Sequence, residues 1–249
     1  MVNLEINFSK YDYFGIIIPG FVFLLFLIFI FPIEFFINIG NIISSFGNFG
    51  FAFVFLISVG IIIISYLFGL IISGIGYSLI EGLIIEKKLK YPSYYLFQTK
   101  NKDTSKNEVD SNNENNSSKL FKRYRRNYSK EFIDNFNEAF NAYFKEDNYN
   151  DTDRFKLCFH VVKEKSPMAF SRLTTFISLY GLYRNLTITF IIGTFLLLYK
   201  LVISLNFLLI LLIICICLLS LFSFNNFLKF FSVYADEVFR SFYIYALEK

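Results

Sequence analysis

Residues 185–224 read NLTITFIIGTFLLLYKLVISLNFLLILLIICICLLSLFSF, and this stretch decides the fold. Crossing the hydrocarbon of a bilayer with a helix takes about 20 mostly apolar residues, because each residue rises about 1.5 Å through a core roughly 30 Å thick. The stretch is long enough for two crossings, and Ser204 to Asn206 is its only turn-like interruption. A connection this short returns the chain beside itself, which predicts a third span at Asn185–Ile203 and a fourth at Leu205–Phe224, paired antiparallel. The third span carries a thin polar stripe: Asn185, Thr189 and Gly193 recur every four residues and so share one helical face.

Working outward towards the N-terminus, two more apolar blocks appear. Phe14 to Phe31 follows Tyr11-Asp12-Tyr13 and is closed by Pro32, with no small-residue cleavage site after it, so an uncleaved anchor is expected. Pro19-Gly20 should kink this helix or mark where its regular part begins. Phe49 to Ile80 exceeds what one perpendicular span needs and is expected to tilt or protrude. On it Ser65, Gly69 and Ser73 recur at four-residue spacing, a face of small residues that lets another helix backbone approach for packing. Between these blocks, Ile33 to Asn48 holds no Lys or Arg. The expected fold class is therefore an all-α membrane protein, with four transmembrane helices as two hairpins. A small helical insert and a C-terminal helix complete it on the cytoplasmic side.

Charge placement sets the orientation. The chain has 249 residues, 55% of them apolar, and a formal charge of +4. Residues 86–184 alone hold 19 Lys and Arg against 13 Asp and Glu. Basic loops stay on the cytoplasmic side, so this insert, and with four spans both termini, are expected inside the cell's inner (plasma) membrane. The expected division is a first transmembrane hairpin at 1–85, the basic insert at 86–184, a second hairpin at 185–225 and a C-terminal cytoplasmic helix at 226–249. Residues 98–119, rich in Asn, Ser, Lys, Asp and Glu, cannot bury apolar surface and are expected to be disordered. Next comes the pentad Lys122-Arg123-Tyr124-Arg125-Arg126, then a predicted helix over Lys130–Phe144 with Phe132, Phe136, Phe140 and Phe144 on one face. Lys122, Arg123, Arg125 and Arg126 are the candidate ligand or lipid contacts. They suit anionic headgroups, a nucleotide or nucleic-acid phosphate, or the enforcement of topology alone.

Composition narrows the chemistry. The 35 Phe and 17 Tyr, with abundant Ile, Asn and Lys, are residues that AT-rich codons encode, so aromatic content alone does not indicate base stacking. Cys158, Cys215 and Cys217 have no metal spacing and suggest no disulfide framework, and His160, the single histidine, reads as structural. No phosphate loop, zinc pair or nucleophile elbow occurs. Neither an enzymatic activity nor a cofactor or metal is expected. No charge falls in the middle of a span, which argues against a proton-coupled transporter or a voltage sensor.

Tyr11-Asp12-Tyr13-Phe14-Gly15 with Ile18-Pro19-Gly20, the cytoplasmic insert, and Leu182-Tyr183-Arg184-Asn185-Leu186 leading into a hairpin resemble the layout of small multi-pass membrane effectors of prokaryotic anti-phage systems. The resemblance implies a protein that senses a cytoplasmic nucleotide or protein signal and permeabilises the inner membrane. It assigns no ligand residue. Two readings follow. In one, a homo-oligomer in membrane lipid forms a pore lined by Asn185, Thr189 and Gly193. In the other, a non-conducting anchor or scaffold presents the basic insert to a partner or to anionic lipid.

Overall fold

The apolar blocks and the predicted cytoplasmic elements form helices in a computed structural model of the chain, which describes residues 11–30, 40, 50–97, 124, 127–145 and 151–248. Among these residues there is no strand. A π-type turn at Asp12–Ile17, with Ile18 donating to the Tyr13 carbonyl five residues back, leads into α1 (Ile18–Ile30). Pro19 follows this turn within an unbroken helix, so its missing N–H leaves a carbonyl of the preceding turn without that intrahelical donor. Helix α2 (Gly50–Gly76) runs on through π-type turns at Tyr77–Leu89. It is followed by α3 (Pro92–Leu96), α4 (Lys130–Phe144), α5 (Asp151–Lys165), α6 (Pro167–Ile203) and α7 (Phe207–Leu247).

Four stretches are long and apolar enough to cross a membrane: Asp12–Ile30, Val54–Leu96, Pro167–Ile203 and Phe207–Leu247. The second turns at Lys90, whose φ of 59° ends the helix before Tyr91 and Pro92. Large apolar side chains such as Leu56, Leu67, Phe195, Leu211 and Leu218 remain exposed along these helices. In water that surface would drive aggregation, whereas lipid tails cover it at no cost. These features are those of an integral, multi-pass membrane protein.

The chain divides into two compact units, 1–82 with 178–227 and 83–177 with 228–249. In the first, close approach is set by glycine. A Cβ added to Gly20 would lie 1.8 Å from the Ser65 carbonyl oxygen, and one on Gly69 would lie 2.1 Å from that of Ile16. Backbone thus touches backbone, and Phe23 meets Phe68 edge-on beside the contact, with centroids 5.2 Å apart. Ring contacts between Tyr180 and Phe227 and between Tyr183 and Phe222 accompany a contact of Thr194 with Cys217, so residue numbers fall along α7 as they rise along α6. Leu197, Leu209 and Ile216 are buried with Phe26 and Phe190 packed against them. Lys200 donates to the Phe29 carbonyl near the last described turn of α1.

The second unit is built as a soluble domain is. Ser129 caps α4 by accepting from the Phe132 N–H at 3.2 Å, and Lys145, with φ 58°, closes it. Phe136 and Phe140 are buried, and Phe136 packs against Phe97, Phe239 and Phe242. Cys158, Val162, Ala169, Leu173 and Val238 complete this core, so residues 228–247 of α7 fold together with the insert. His160 lies on the surface of α5, and no group of His, Cys, Asp and Glu able to hold a metal occurs among the described residues. The tract 98–119, the connection at 33–39 and 41–48, and Lys122, Arg123, Arg125 and Arg126 lie outside the described residues.

Candidate functional site

Polar groups buried among apolar helices need partners, since an unsatisfied one costs on the order of 1–3 kcal/mol and an unpaired charge more. The first unit buries several, and they converge. Arg184 on α6 is 4% exposed and Glu81, on the π-type turns after α2, is 8% exposed. The Arg184 Nη1 donates to Glu81 Oε1, forming a buried ion pair. Its Nη2 donates to the Ser73 hydroxyl at 2.9 Å and to the Tyr11 hydroxyl at 3.2 Å, and its Nε donates to Asn185 Oδ1 at 3.1 Å. A planar guanidinium with five fixed donors suits such a hub, because each acceptor reaches it from a different direction.

The lattice extends along α6. Asn185, fully buried, donates through Nδ2 to the Gly15 carbonyl at 2.6 Å. Thr189, also fully buried, donates to the Asn185 carbonyl at 3.0 Å and lies 3.4 Å from the Pro19 carbonyl. The Gly15 carbonyl lies within the π-type turns of the first span and the Pro19 carbonyl two residues beyond them. Glycine makes the room. A Cβ on Gly181 would fall 2.4 Å from the Tyr11 ring, and one on Gly76 would fall 3.0 Å from Asn185 Oδ1. Gly193 lies one turn beyond Thr189, and a Cβ there would sit 2.7 Å from the ring of Phe26.

The stripe Asn185, Thr189 and Gly193 therefore packs against the first span inside a single chain. Its donor groups are engaged by backbone carbonyls, the Asn185 amide oxygen by Arg184, and its glycine by an aromatic ring. The small-residue row of α2 is used within the chain as well. Ser65 and Gly69 meet Gly20 and Ile16, and Ser73 accepts from Arg184. The Ser65 hydroxyl is buried with no hydrogen-bond partner. The Glu81–Arg184 pair is absent from the sequence-based candidates, in which Arg184 enters only as part of the motif before the second hairpin and as the end of the basic insert. Its signal was available: one acid and one base stand at the edges of the second and third apolar blocks, with Tyr11 at the edge of the first.

Arg184 is the hub of the arrangement. Four donor contacts of Arg184 are taken by protein acceptors, and Glu81 is matched by its cation. It ties Tyr11, Ser73, Glu81 and Asn185 to one point, so the first three spans meet there. In the second unit a smaller polar group surrounds Asp236. It accepts from the Tyr128 hydroxyl at 2.6 Å and from Arg240 Nε at 2.7 Å. Burial and the adjacent carboxylate push the Tyr128 hydroxyl well above its ordinary range, and the same carboxylate raises Arg240. Cys158 is pushed up by burial, which keeps it a protonated thiol. In comparisons with family models, curated proteins and solved structures, nothing matches this chain.

Proposed function

We propose that the protein is a non-conducting membrane anchor in the cell's inner (plasma) membrane. In this reading four spans in two antiparallel hairpins carry a folded, basic domain in the cytoplasm, where it meets a partner or lipid. The observation that carries it is the fate of the polar stripe. Asn185 and Thr189 are fully buried, with their side chains engaged by the first span. A pore lined by Asn185, Thr189 and Gly193 would require each of them to leave a contact it already has, at a cost of about 1–3 kcal/mol for each buried polar group. The descending contacts between α6 and α7 support the second hairpin, and those of Gly20 with Ser65 and Gly69 with Ile16 support the first. The excess of basic residues over 86–184 supports the cytoplasmic placement. The aromatic core of the second unit supports a stable domain able to receive the cytoplasmic nucleotide or protein signal that the effector-like layout implies.

The test is reconstitution of the full chain in lipid with oligomer mass and conductance measured on the same sample. The expected outcome is a stable particle with no conductance. Discrete conductance steps that Asn185→Ala or Thr189→Val alters would overturn the anchor reading in favour of an oligomeric pore-forming effector.

A further inference from the structure

We infer that the second unit carries a binding pocket for a small zwitterion, an α-amino acid with an apolar side chain, whose carboxylate meets Arg240 and whose ammonium meets Asp236. The pocket is a cavity of about 320 Å³, with Leu96, Tyr128, Ser129, Phe132, Asp236 and Arg240 in its walls. All six belong to the second unit, and the inference is independent of whether the spans conduct. Ligand-binding cavities run to roughly 300–1,000 Å³, and a single amino acid belongs at the small end of that range.

The walls are fixed by bonds of their own. The Tyr128 N–H donates to the Leu96 carbonyl at 2.9 Å, which ties the segment before α4 to the end of α3. Ser129 then caps α4, its Oγ accepting from the Phe132 N–H at 3.2 Å, so its own hydroxyl hydrogen is left to donate elsewhere. From α7, Asp236 and Arg240 reach this segment one helical turn apart. Asp236 Oδ1 accepts both from the Tyr128 hydroxyl, at 2.6 Å, and from Arg240 Nε, at 2.7 Å. The Tyr128 and Phe132 rings lie 4.4 Å apart, and the Arg240 guanidinium carbon stands 5.6 Å and 5.9 Å from their centroids. Two aromatic faces thus hold the cation in place without neutralising it.

What these bonds leave over defines the ligand. Both bonds to the Asp236 side chain fall on Oδ1, and no described residue donates to Oδ2. Arg240 gives its Nε to the pair, and Nη1 and Nη2 take part in no hydrogen bond or ion pair among the described residues. A forked donor and an anionic acceptor therefore stand side by side, each with capacity to spare. A lone anion drawn to Arg240 is repelled by the neighbouring carboxylate, and a lone cation meets the reverse; a molecule that carries both charges close together gains from each. An α-amino acid has this pattern. Its carboxylate matches the planar fork of the guanidinium, and its ammonium suits Asp236. Leu96 and Phe132 offer the remainder of the molecule an apolar wall, which favours a side chain such as that of leucine or phenylalanine.

The experiment is isothermal titration calorimetry on the full chain in detergent, with two matched series. One is L-leucine beside isocaproate, which lacks the amine, and isoamylamine, which lacks the carboxylate. The other is L-phenylalanine beside hydrocinnamate and phenethylamine. In at least one series the amino acid should bind saturably and both relatives at least about tenfold more weakly, because each relative leaves one charged group of the pocket without its partner. Arg240→Lys keeps the charge but loses the fork, and Asp236→Asn keeps the shape but loses the charge. Each should weaken the amino acid at least about tenfold. Glu138→Gln, which removes an exposed carboxylate of α4 that lines a different groove, should leave binding unchanged. Protection of the buried Cys158 from maleimide would show that the second unit stays folded in each variant. The comparison of each amino acid with its relatives uses the native chain, so it stands whether or not a variant folds.

Silence of both amino acids overturns the inference. Equal binding of the carboxylate relatives would mark a plain anion site, and equal binding of the amines a plain cation site; either outcome sinks the zwitterion. A folded Arg240→Lys or Asp236→Asn protein that binds as the native chain does would remove the site from this pocket.

Discussion

Removing either partner of the Glu81–Arg184 pair leaves the other charge buried, and this gives the sharpest prediction. Side-chain exposures of 5% for Arg184 and 11% for Glu81 place the pair among buried ion pairs. For these, loss of one partner costs about 3–5 kcal/mol, against about 0–1 kcal/mol for a surface pair. Glu81→Gln should fall at the lower end, because the amide still accepts from Arg184. Arg184→Met should fall at the upper end, because Tyr11, Ser73 and Asn185 lose their shared donor together. The double variant strands no charge, so its cost should fall short of the sum of the singles, with a coupling of about 2 kcal/mol or more. Arg184→Lys should rescue little, since an ammonium cannot reach acceptors in so many fixed directions. The assay is thermal unfolding of the purified chain in detergent, where each kcal/mol shifts the midpoint by roughly 2–4 °C for a protein of this size. Additive single variants, each costing under about 1 kcal/mol, would refute the buried hub.

Other expectations follow from packing and titration. Gly20→Ala and Gly69→Ala each drive a Cβ to about 2 Å from a backbone oxygen that no rotamer change can clear, so each should separate the first two spans and lower the unfolding midpoint far more than Gly74→Ala, where nothing lies within 4 Å. Phe136→Ala, in the aromatic core of the second unit, should cost about 3–5 kcal/mol and open Cys158 to maleimide. Burial pushes the Tyr234 hydroxyl up to about 12 from an ordinary value of 10.0. The folded state then holds a proton that the unfolded chain releases, so this stabilisation is complete below about pH 10 and is lost as pH rises through about 12. Tyr234→Phe should flatten the alkaline limb of a stability-against-pH curve, and an unchanged limb would contradict the assignment.

Much of the architecture was legible in the sequence because lipid imposes a length on every apolar block. Phe132, Phe136, Phe140 and Phe144 announced one aromatic helical face in the same way. The regularity of α6 was harder to see. Ser166-Pro167 marks its start, yet nothing in residues 167–184 separates the first turns of the helix from the span into which they run without a break. The π-type turns of Tyr77–Leu89 left no sequence mark either, because their hydrogen-bond pattern follows from tertiary contacts rather than from propensity. The site was half legible. Asn185, Thr189 and Gly193 stood out by spacing, but a polar stripe does not declare whether it faces water or a neighbouring backbone. Glu81 escaped notice because its partner is 103 residues away, and pairing at that range is a property of the fold.

The contact of Gly20 with Ser65 and Gly69 with Ile16 also bears on how this chain can drift. Along the spans most side chains meet lipid or soft neighbours, so Ile, Leu, Phe and Val are interchangeable there at little cost. Where one backbone rests on another, every side chain larger than hydrogen is refused. Lineages of this protein would therefore diverge freely in nearly all their apolar letters. What they would keep is a sparse set of widely spaced anchors: Tyr11, Gly20, Gly69, Glu81, Arg184 and Asn185.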